Sequence, residues 1–429
     1  MKQKRNFQFS TLHSPFKKFI ECIVESILTA SGAITSIIIL LIVLFLFKEG
    51  FGLFKSPTVE KGYMLCVNAS NPIETLTSQQ IKQIFDGEIT EWNIENGELK
   101  TEGENNFQSS TLNFPLEIMI FRFDDIFNLY SDEELGENYD LLPEKLGEVI
   151  SENPNIIAFL PEKYLPENND VKTLSSTHIT PADFFLGKEW IPTATPAAQF
   201  GVLPLIMGTL WVSIFAIIIA LPLGLGVAIY LSELAEERTR KLLKPSIELL
   251  AGIPSVVYGF FGLVVLVPLI QKTFKLPVGE TAFAGSLILA IMALPTIISV
   301  AEDAMRNTPR TLREGSLALG ATRWQTIYKV VIPHSISGIS AAVVLGIGRA
   351  IGETMAVLMV TGNAAVIPNS LFQPVRTIPA TIAAELGEAP VGGTHYQSLF
   401  MLGCILFVIT LIISITAETI SKKQPNKGL

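Results

Sequence analysis

Charge is scarce in this sequence. Only 17% of its 429 residues are charged, against about a quarter in an ordinary soluble domain, and the mean hydropathy is +0.44. The charge is also uneven: residues 48–197 hold 26 of the 40 acids but only 10 of the 31 bases. One part is acidic and water-loving, the other apolar and weakly basic. That split excludes a uniformly soluble enzyme and a wholly disordered chain. The basic excess is dispersed through apolar sequence and forms no stripe, so nucleic acid is not an expected partner. Cysteine is nearly absent too. Of Cys22, Cys66 and Cys404, only Cys66 falls in the acidic part. That part holds no internal disulfide, and no Cys/His cluster has metal-ligand spacing. The four histidines, His13, His178, His334 and His395, are scattered, with His334 expected at a membrane interface beside Pro333. No nucleophile–base constellation occurs. No Gly-x4-Gly-Lys-Ser/Thr stretch is present to cradle a nucleotide. The expectation is a non-enzyme without a cofactor, drawing any energy from a separate subunit.

Long apolar runs are what the sequence has in abundance. A spanning helix needs about 20 mostly apolar residues, and six candidates lie near 27–47, 201–231, 247–270, 282–301, 336–361 and 399–420. Pro204, Pro222, Pro254 and Pro295 fall within them; membrane helices tolerate proline where neighbours satisfy the freed backbone groups. Six such runs argue against buried helices of a soluble protein. The first is followed by Lys48-Glu49-Gly50-Phe51 and lacks a small-x-small cleavage site, so it reads as an uncleaved anchor.

Lys and Arg counts in the loops set orientation. One side carries Lys2, Lys4, Arg5, Lys17 and Lys18, the cluster Arg238, Arg240, Lys241 and Lys244, the loop after span four, and Lys422, Lys423 and Lys427. The short loops opposite carry only Lys272, Lys275 and Arg376. Both termini are therefore expected in the cytoplasm and residues 48–197 outside. The chain divides into 1–55 (tail and first span), 56–196 (an outside lobe) and 197–429 (five spans with a cytoplasmic loop at 303–333).

That loop is the most informative stretch. It reads as two short helices. Thr308 is a candidate N-cap with Pro309 at the first helical position. Gly320 suits a left-handed helix end. Thr322 and Gln325 form a capping-box pattern. An amphipathic linker would carry the same local signals. The sequence Glu314-Gly315-Ser316, then Gly320, then nine residues to Val330-Val331-Ile332-Pro333 is similar to the EAA motif of ABC-importer permeases. The resemblance implies a coupling helix that docks on an ATPase subunit, through Glu314, Gly315, Ser316, Gly320, Thr322, Arg323 and Pro333. Gly315 and Ser316 replace the alanines. Glycine there weakens a helix by about 1 kcal/mol.

Two further runs, Leu250-Ala251-Gly252-Ile253-Pro254-Ser255 and Gly346-Ile347-Gly348-Arg349-Ala350-Ile351-Gly352-Glu353-Thr354-Met355, together with Gly362-Asn363, resemble phosphate-specific permeases of the PstC type. The resemblance covers the first span and about residues 197–420. Arg349 would lie near the middle of span five. A charge there costs about 2.5–3.5 kcal/mol on insertion scales, so it must face the protein interior or a wet path. Glu353, four residues on, is expected on the same helical face. Two readings stay open: an Arg–Glu pair holding helices in register, or a charged element of a permeation path. The guanidinium fork suits phosphate oxygens. The family resemblance adds Thr354 and implies a substrate path through Arg349, Glu353 and Thr354.

The lobe mixes apolar strand-like runs at 63–67, 116–121 and 156–160 with a helical pattern over Ser78–Phe85 and a polar loop over 96–110, which predicts an α/β unit. The stretch from Asn71-Pro72 to Trp92-Asn93, following Val67-Asn68, and the run Asn153-Pro154-Asn155-Ile156-Ile157-Ala158-Phe159, are similar to segments of periplasmic phosphate-binding proteins. Their Arg-x-x-x-Ser-Gly-Thr-like stretch is not matched: the region reads Phe121-Arg122-Phe123-Asp124-Asp125-Ile126, with Arg122 alone in a corresponding place.

The expected architecture is an α-helical polytopic membrane protein of six spans, with the ABC-importer permease fold and an inserted extracytoplasmic α/β lobe. The resemblance implies the permease subunit of a phosphate importer in a bacterial inner membrane. Its partners would be two ATPase copies, a second permease, an extracytoplasmic phosphate-binding protein, phosphate and membrane lipid. The alternatives are a membrane-anchored phosphate receptor, or a permease for another oxyanion such as molybdate or sulfate.

Overall fold

The computed structural model describes residues 15–92, 94–95, 98–99, 117–167, 169–174 and 178–422. Among these, six helices are long and apolar enough to cross a membrane: Ile23–Lys55, Leu203–Leu234, Ser255–Phe274, Ala282–Arg306, Arg323–Gly352 and Thr394–Thr416. Two of these spans break where the hydropathy reading runs on. The third span starts at Ser255 because Pro254 is extended (ψ 142°) and disfavours the helical conformation at Ile253. Residues 247–251 instead close the preceding helix Glu237–Ala251. The fifth starts at Arg323 and stops at Gly352, where Glu353 turns extended (ψ 132°). A separate short helix, Met355–Val360, follows. Three segments, Tyr230–Leu234, Gly262–Leu266 and Ile327–Val331, widen into π turns.

The fourth span is the centre of the bundle: 61% of its apolar window is buried, against none of the first span's. Close approach comes from glycine. Ile297 is fully buried between Gly224 of the second span and Gly346 of the fifth. A Cβ at either glycine would stand 2.8 Å from the Ile297 side chain. Small residues drive such packing where lipid removes the hydrophobic incentive. The first span lies at the edge and packs along the sixth, with Phe45 against Phe400 and Phe47 against Phe407.

On the basic side, Glu302 is 1% exposed and is met by Arg240 at 3.0 Å, Lys244 at 3.1 Å and Arg306 at 3.8 Å. A lone buried carboxylate would be costly, and several cations and hydrogen bonds compensate it. The cluster clamps the helix Glu237–Ala251 onto the fourth span.

The lobe is built on a four-stranded sheet. Its central strand Tyr63–Asn68 runs antiparallel to Ile156–Pro161 and Val171–Thr173, and Ile156–Pro161 runs parallel to Met119–Arg122. The two-residue period of a strand sends Leu65, Val67 and Ile157 to one face, against Ile81 and Ile84 of the helix Ser78–Phe85. Cys66, Ile156 and Ala158 go to the other face, against Leu146 and Ile150 of the helix Leu142–Glu152. Burial pushes the Cys66 thiol up to about 12, so it is inert. Of the expected loop over 96–110, only Glu98–Leu99 is described, paired with Ile94–Glu95 as a short hairpin; the rest lies outside the described residues. So do Lys2, Lys4, Arg5, Lys423 and Lys427.

Candidate functional site

Two places bring together the residues singled out from sequence. The first is inside the bundle. Arg349 sits in the last turn of the helix Ile332–Gly352, half-buried. Its Nη1 donates to the Thr296 hydroxyl at 3.4 Å, a long bond. A guanidinium has five N–H donors, so most of this one's capacity is unused among the described residues. Glu353 is not its partner. The helix has ended before Glu353, which therefore leaves the shared face expected for a four-residue spacing. Its Oε1 instead accepts from the Ala356 backbone N–H at 3.5 Å. No Arg349–Glu353 ion pair exists among the described residues, so the register-pair reading has no geometric support. The Thr354 hydroxyl donates to the Gly352 carbonyl at 3.4 Å. Gly348 and Gly352 are exposed beside Arg349, with open space where a Cβ would stand. The arrangement leaves a cation, a carboxylate and bare backbone at one helix break in mid-bundle.

The second place is the loop between the fourth and fifth spans. Its helix runs Arg310–Ala318 with Pro309 at the N-cap, so Thr308 does not cap it. Thr308 is buried and its hydroxyl lies 3.0 Å from that of Ser335, joining the loop to the fifth span. Gly320 takes a left-handed φ of 85°. Thr322 accepts from the Gln325 N–H, and the Gln325 side chain accepts from the Thr322 N–H, completing the capping box. Arg313 holds the helix down through Glu233 at 2.7 Å and the Met305 carbonyl at 2.8 Å. Ser316 lies 3.0 Å from the Thr326 hydroxyl. Glu314, Gly315, Arg323 and Pro333 remain exposed.

Around them stand apolar side chains that the sequence reading did not single out: Leu319 at 91% exposure, Tyr328 at 64% and Trp324 at 63%. Several large apolar residues close together in a charged loop were a readable signal, since a group of them exposed together marks a contact surface.

A third cluster was also missed. On the lobe side, Glu385 accepts from Arg376 at 2.7 Å, lies 2.9 Å from His395 Nε2, and accepts from Trp190 Nε1 at 3.0 Å. Trp190 belongs to the lobe and the other three to the bundle. One carboxylate thus ties its neighbours Arg376 and His395 to Trp190, 195 residues away, and no local motif could have disclosed that link. His395 is one of the histidines that looked merely scattered.

The sequence model of the family described as "binding-protein-dependent transport system inner membrane component" matches residues 220–424. The probable ABC transporter permease protein YqgH of Bacillus subtilis (strain 168) is 43% identical over 246 residues, which are 57% of this chain and 79% of that protein. The phosphate transport system permease protein PstC of Haemophilus influenzae is 39% identical over 265 residues, 57% of this chain and 82% of that protein. The PstC protein of Mesorhizobium japonicum is 44% identical over 249 residues, 54% of this chain and 75% of that protein. Among solved structures, an inward-facing form of the MetNI methionine ABC transporter is 20% identical, covers 52% of this chain and 94% of that chain, and has a TM-score of 0.40.

Proposed function

The chain belongs to the family of binding-protein-dependent transport system inner membrane components, and from that membership we propose that it is the permease subunit of an ATP-driven phosphate importer. A member of this family is a non-catalytic, multi-pass inner membrane subunit that works with an ATPase and a binding protein. In our reading the complex holds a second permease and two ATPase copies. Both termini and the 303–333 loop lie in the cytoplasm. The division into 1–55, 56–196 and 197–429 separates anchor, outside lobe and transport core. Arg349, with Glu353 and Thr354, lines the path at the interface of the two permeases. Glu314, Gly315, Ser316, Gly320, Thr322, Arg323 and Pro333 form the ATPase dock, to which Leu319, Trp324 and Tyr328 add apolar contact.

The observation that carries the phosphate reading is relatedness to phosphate permeases at 39% and 44% identity over most of their length. The intact coupling loop supports a transporter over a receptor, which has no need of an ATPase dock. Reconstituted with its ATPase, second permease and binding protein, the complex should take up phosphate only with ATP, and excess sulfate or molybdate should leave the rate unchanged. Uptake of molybdate or sulfate in place of phosphate would sink this reading in favour of the other oxyanions.

The lobe serves as a docking or gating element and not as a phosphate receptor. Arg122 is engaged: its guanidinium lies over the Phe85 ring at 5.9 Å. Its backbone N–H donates to the Asp125 carboxylate at 2.7 Å, where an anion's oxygen would otherwise be welcome. Asp124 is exposed next to it. The lobe's acidic excess adds repulsion that salt limits to about 8–10 Å, so the missing hydroxyl and amide donors weigh more. Calorimetry on a fragment of residues 56–196 is expected to give no heat of phosphate binding up to millimolar concentration. Micromolar binding would revive the receptor alternative.

A further inference from the structure

Most of the lobe's apolar residues are inside its two cores; of those turned out, Phe127, Leu129 and Leu141 have no bond to a span, and a second group stands beside the bundle. The short helix Pro181–Leu186 presents Phe185 and Leu186, the latter 69% exposed, and the hairpin that follows presents Ile191. Their height relative to the bundle is fixed by the backbone. The Phe184 carbonyl accepts from the Val202 N–H at 2.9 Å, and the Gly187 carbonyl accepts from the Leu203 N–H at 3.3 Å. Leu203 is the first residue of the second span. The Phe184 ring is fully buried and stands edge-on to Phe54, in the last turn of the first span. The helix is therefore hydrogen-bonded to the start of the second span and packed on the end of the first, and its exposed side chains stand beside those two span ends, Leu186 and Lys188 along a cleft shared with Lys82 and Glu88. Of the charged groups alongside, Asp183 accepts from the Thr180 hydroxyl and Glu189 pairs with Lys82. Lys188 is exposed and has no ion pair among the described residues.

The geometry points to a lipid-facing foot: Phe185, Leu186 and Ile191 enter the interfacial layer of the bilayer, and Lys188 meets the headgroups. An interfacial element of this kind buries apolar side chains about 5–10 Å into the headgroup–acyl boundary, while a lysine stem lets its charge reach the headgroups. With the Trp190–Glu385 bond, the foot gives the lobe two fixed supports beside the bundle and so sets its tilt. The inference depends on the chain's place in the membrane and not on what is transported.

The test is the full chain carrying Leu186→Trp, reconstituted in bilayers of phosphatidylcholine with acyl chains brominated near the headgroup end. Relative to the wild-type background, the added emission should fall at least twofold in the brominated bilayers and resist quenching by aqueous iodide. Leu129→Trp, at a similarly exposed lobe residue with no bond to a span, should behave in the opposite way. An added tryptophan at 186 that iodide quenches and bromine does not would overturn the foot. Should that variant fail to reconstitute, a nitroxide on Leu186→Cys in a Cys22→Ser background gives the same reading. Greater accessibility to oxygen than to a nickel chelate supports the foot, and the reverse overturns it.

Discussion

Arg349→Ala is expected to lower ATP-driven phosphate uptake by at least a hundredfold while the complex assembles at wild-type yield. The asymmetry follows from what Arg349 touches. Among the described residues its hydrogen bond is the 3.4 Å contact to Thr296, so alanine removes little that holds helices together. It also relieves an insertion cost of about 2.5–3.5 kcal/mol. What alanine does remove is the cation and planar fork that, in the proposed path, would meet an anion in a low-dielectric layer. A hundredfold change in rate corresponds to about 2.7 kcal/mol, within reach of charge-assisted hydrogen bonds to one phosphate. Arg349→Lys keeps the charge but loses the fork and should fall between the two. Uptake near wild type in an assembled Arg349→Ala complex would remove Arg349 from the path. Loss of assembly would mean that its role is architectural after all.

Glu314→Lys is expected to release the ATPase subunits or to abolish substrate-stimulated hydrolysis, with at least a tenfold loss in ATPase recovered per permease. Glu314 is exposed in the middle of the nine-residue helix Arg310–Ala318, not in its first turn. The helix dipole, whose effect fades beyond the first turn, therefore contributes little. In the proposed dock, the effect comes from reversing an exposed charge on the face offered to the ATPase. The loop's fold should survive, because Arg313–Glu233, Ser316–Thr326 and the Thr322 capping box hold it without Glu314. Normal ATPase stoichiometry with normal stimulated hydrolysis in the Glu314→Lys complex counts against the dock. Glu314→Gln, which removes the charge without reversing it, should do less damage.

Much of this molecule is written locally, and those parts were legible. Six apolar runs of spanning length give the six spans, and the helix Ser78–Phe85 forms over the residues whose pattern predicts it. The turn at Gly320 and the box at Thr322 follow from residue type alone. The errors lie where a break had to be weighed against a long apolar run. Hydropathy carries the fifth span to 361 because Met355–Val360 is as apolar as the helix before it, yet the chain bends at Glu353. That bend undoes the four-residue argument that placed Glu353 with Arg349. Thr308 was misjudged because a buried partner 27 residues away, Ser335, outcompetes a local cap. Val171–Thr173 is too short for strand alternation to be visible. The Glu385 and Glu302 clusters are assembled from segments up to 195 residues apart, so only the fold discloses them.

The π turn Ile327–Val331 has a consequence for how the gene can change length. A π turn closes its hydrogen bond one residue later than an α turn, so it stores one surplus residue without disturbing the helix on either side. Deleting one residue within 327–331 would convert the segment to regular α-helix and leave both ends in phase, with Arg349 still toward Thr296 and Thr322 still capping its helix. The same deletion at 340–345 has no slack to draw on. It would turn everything beyond it by about 100°, one residue's share of a 3.6-residue turn, and shift it by about 1.5 Å, carrying Arg349 off its face. Single-codon losses should therefore be tolerated at the start of the fifth span and selected against in its middle.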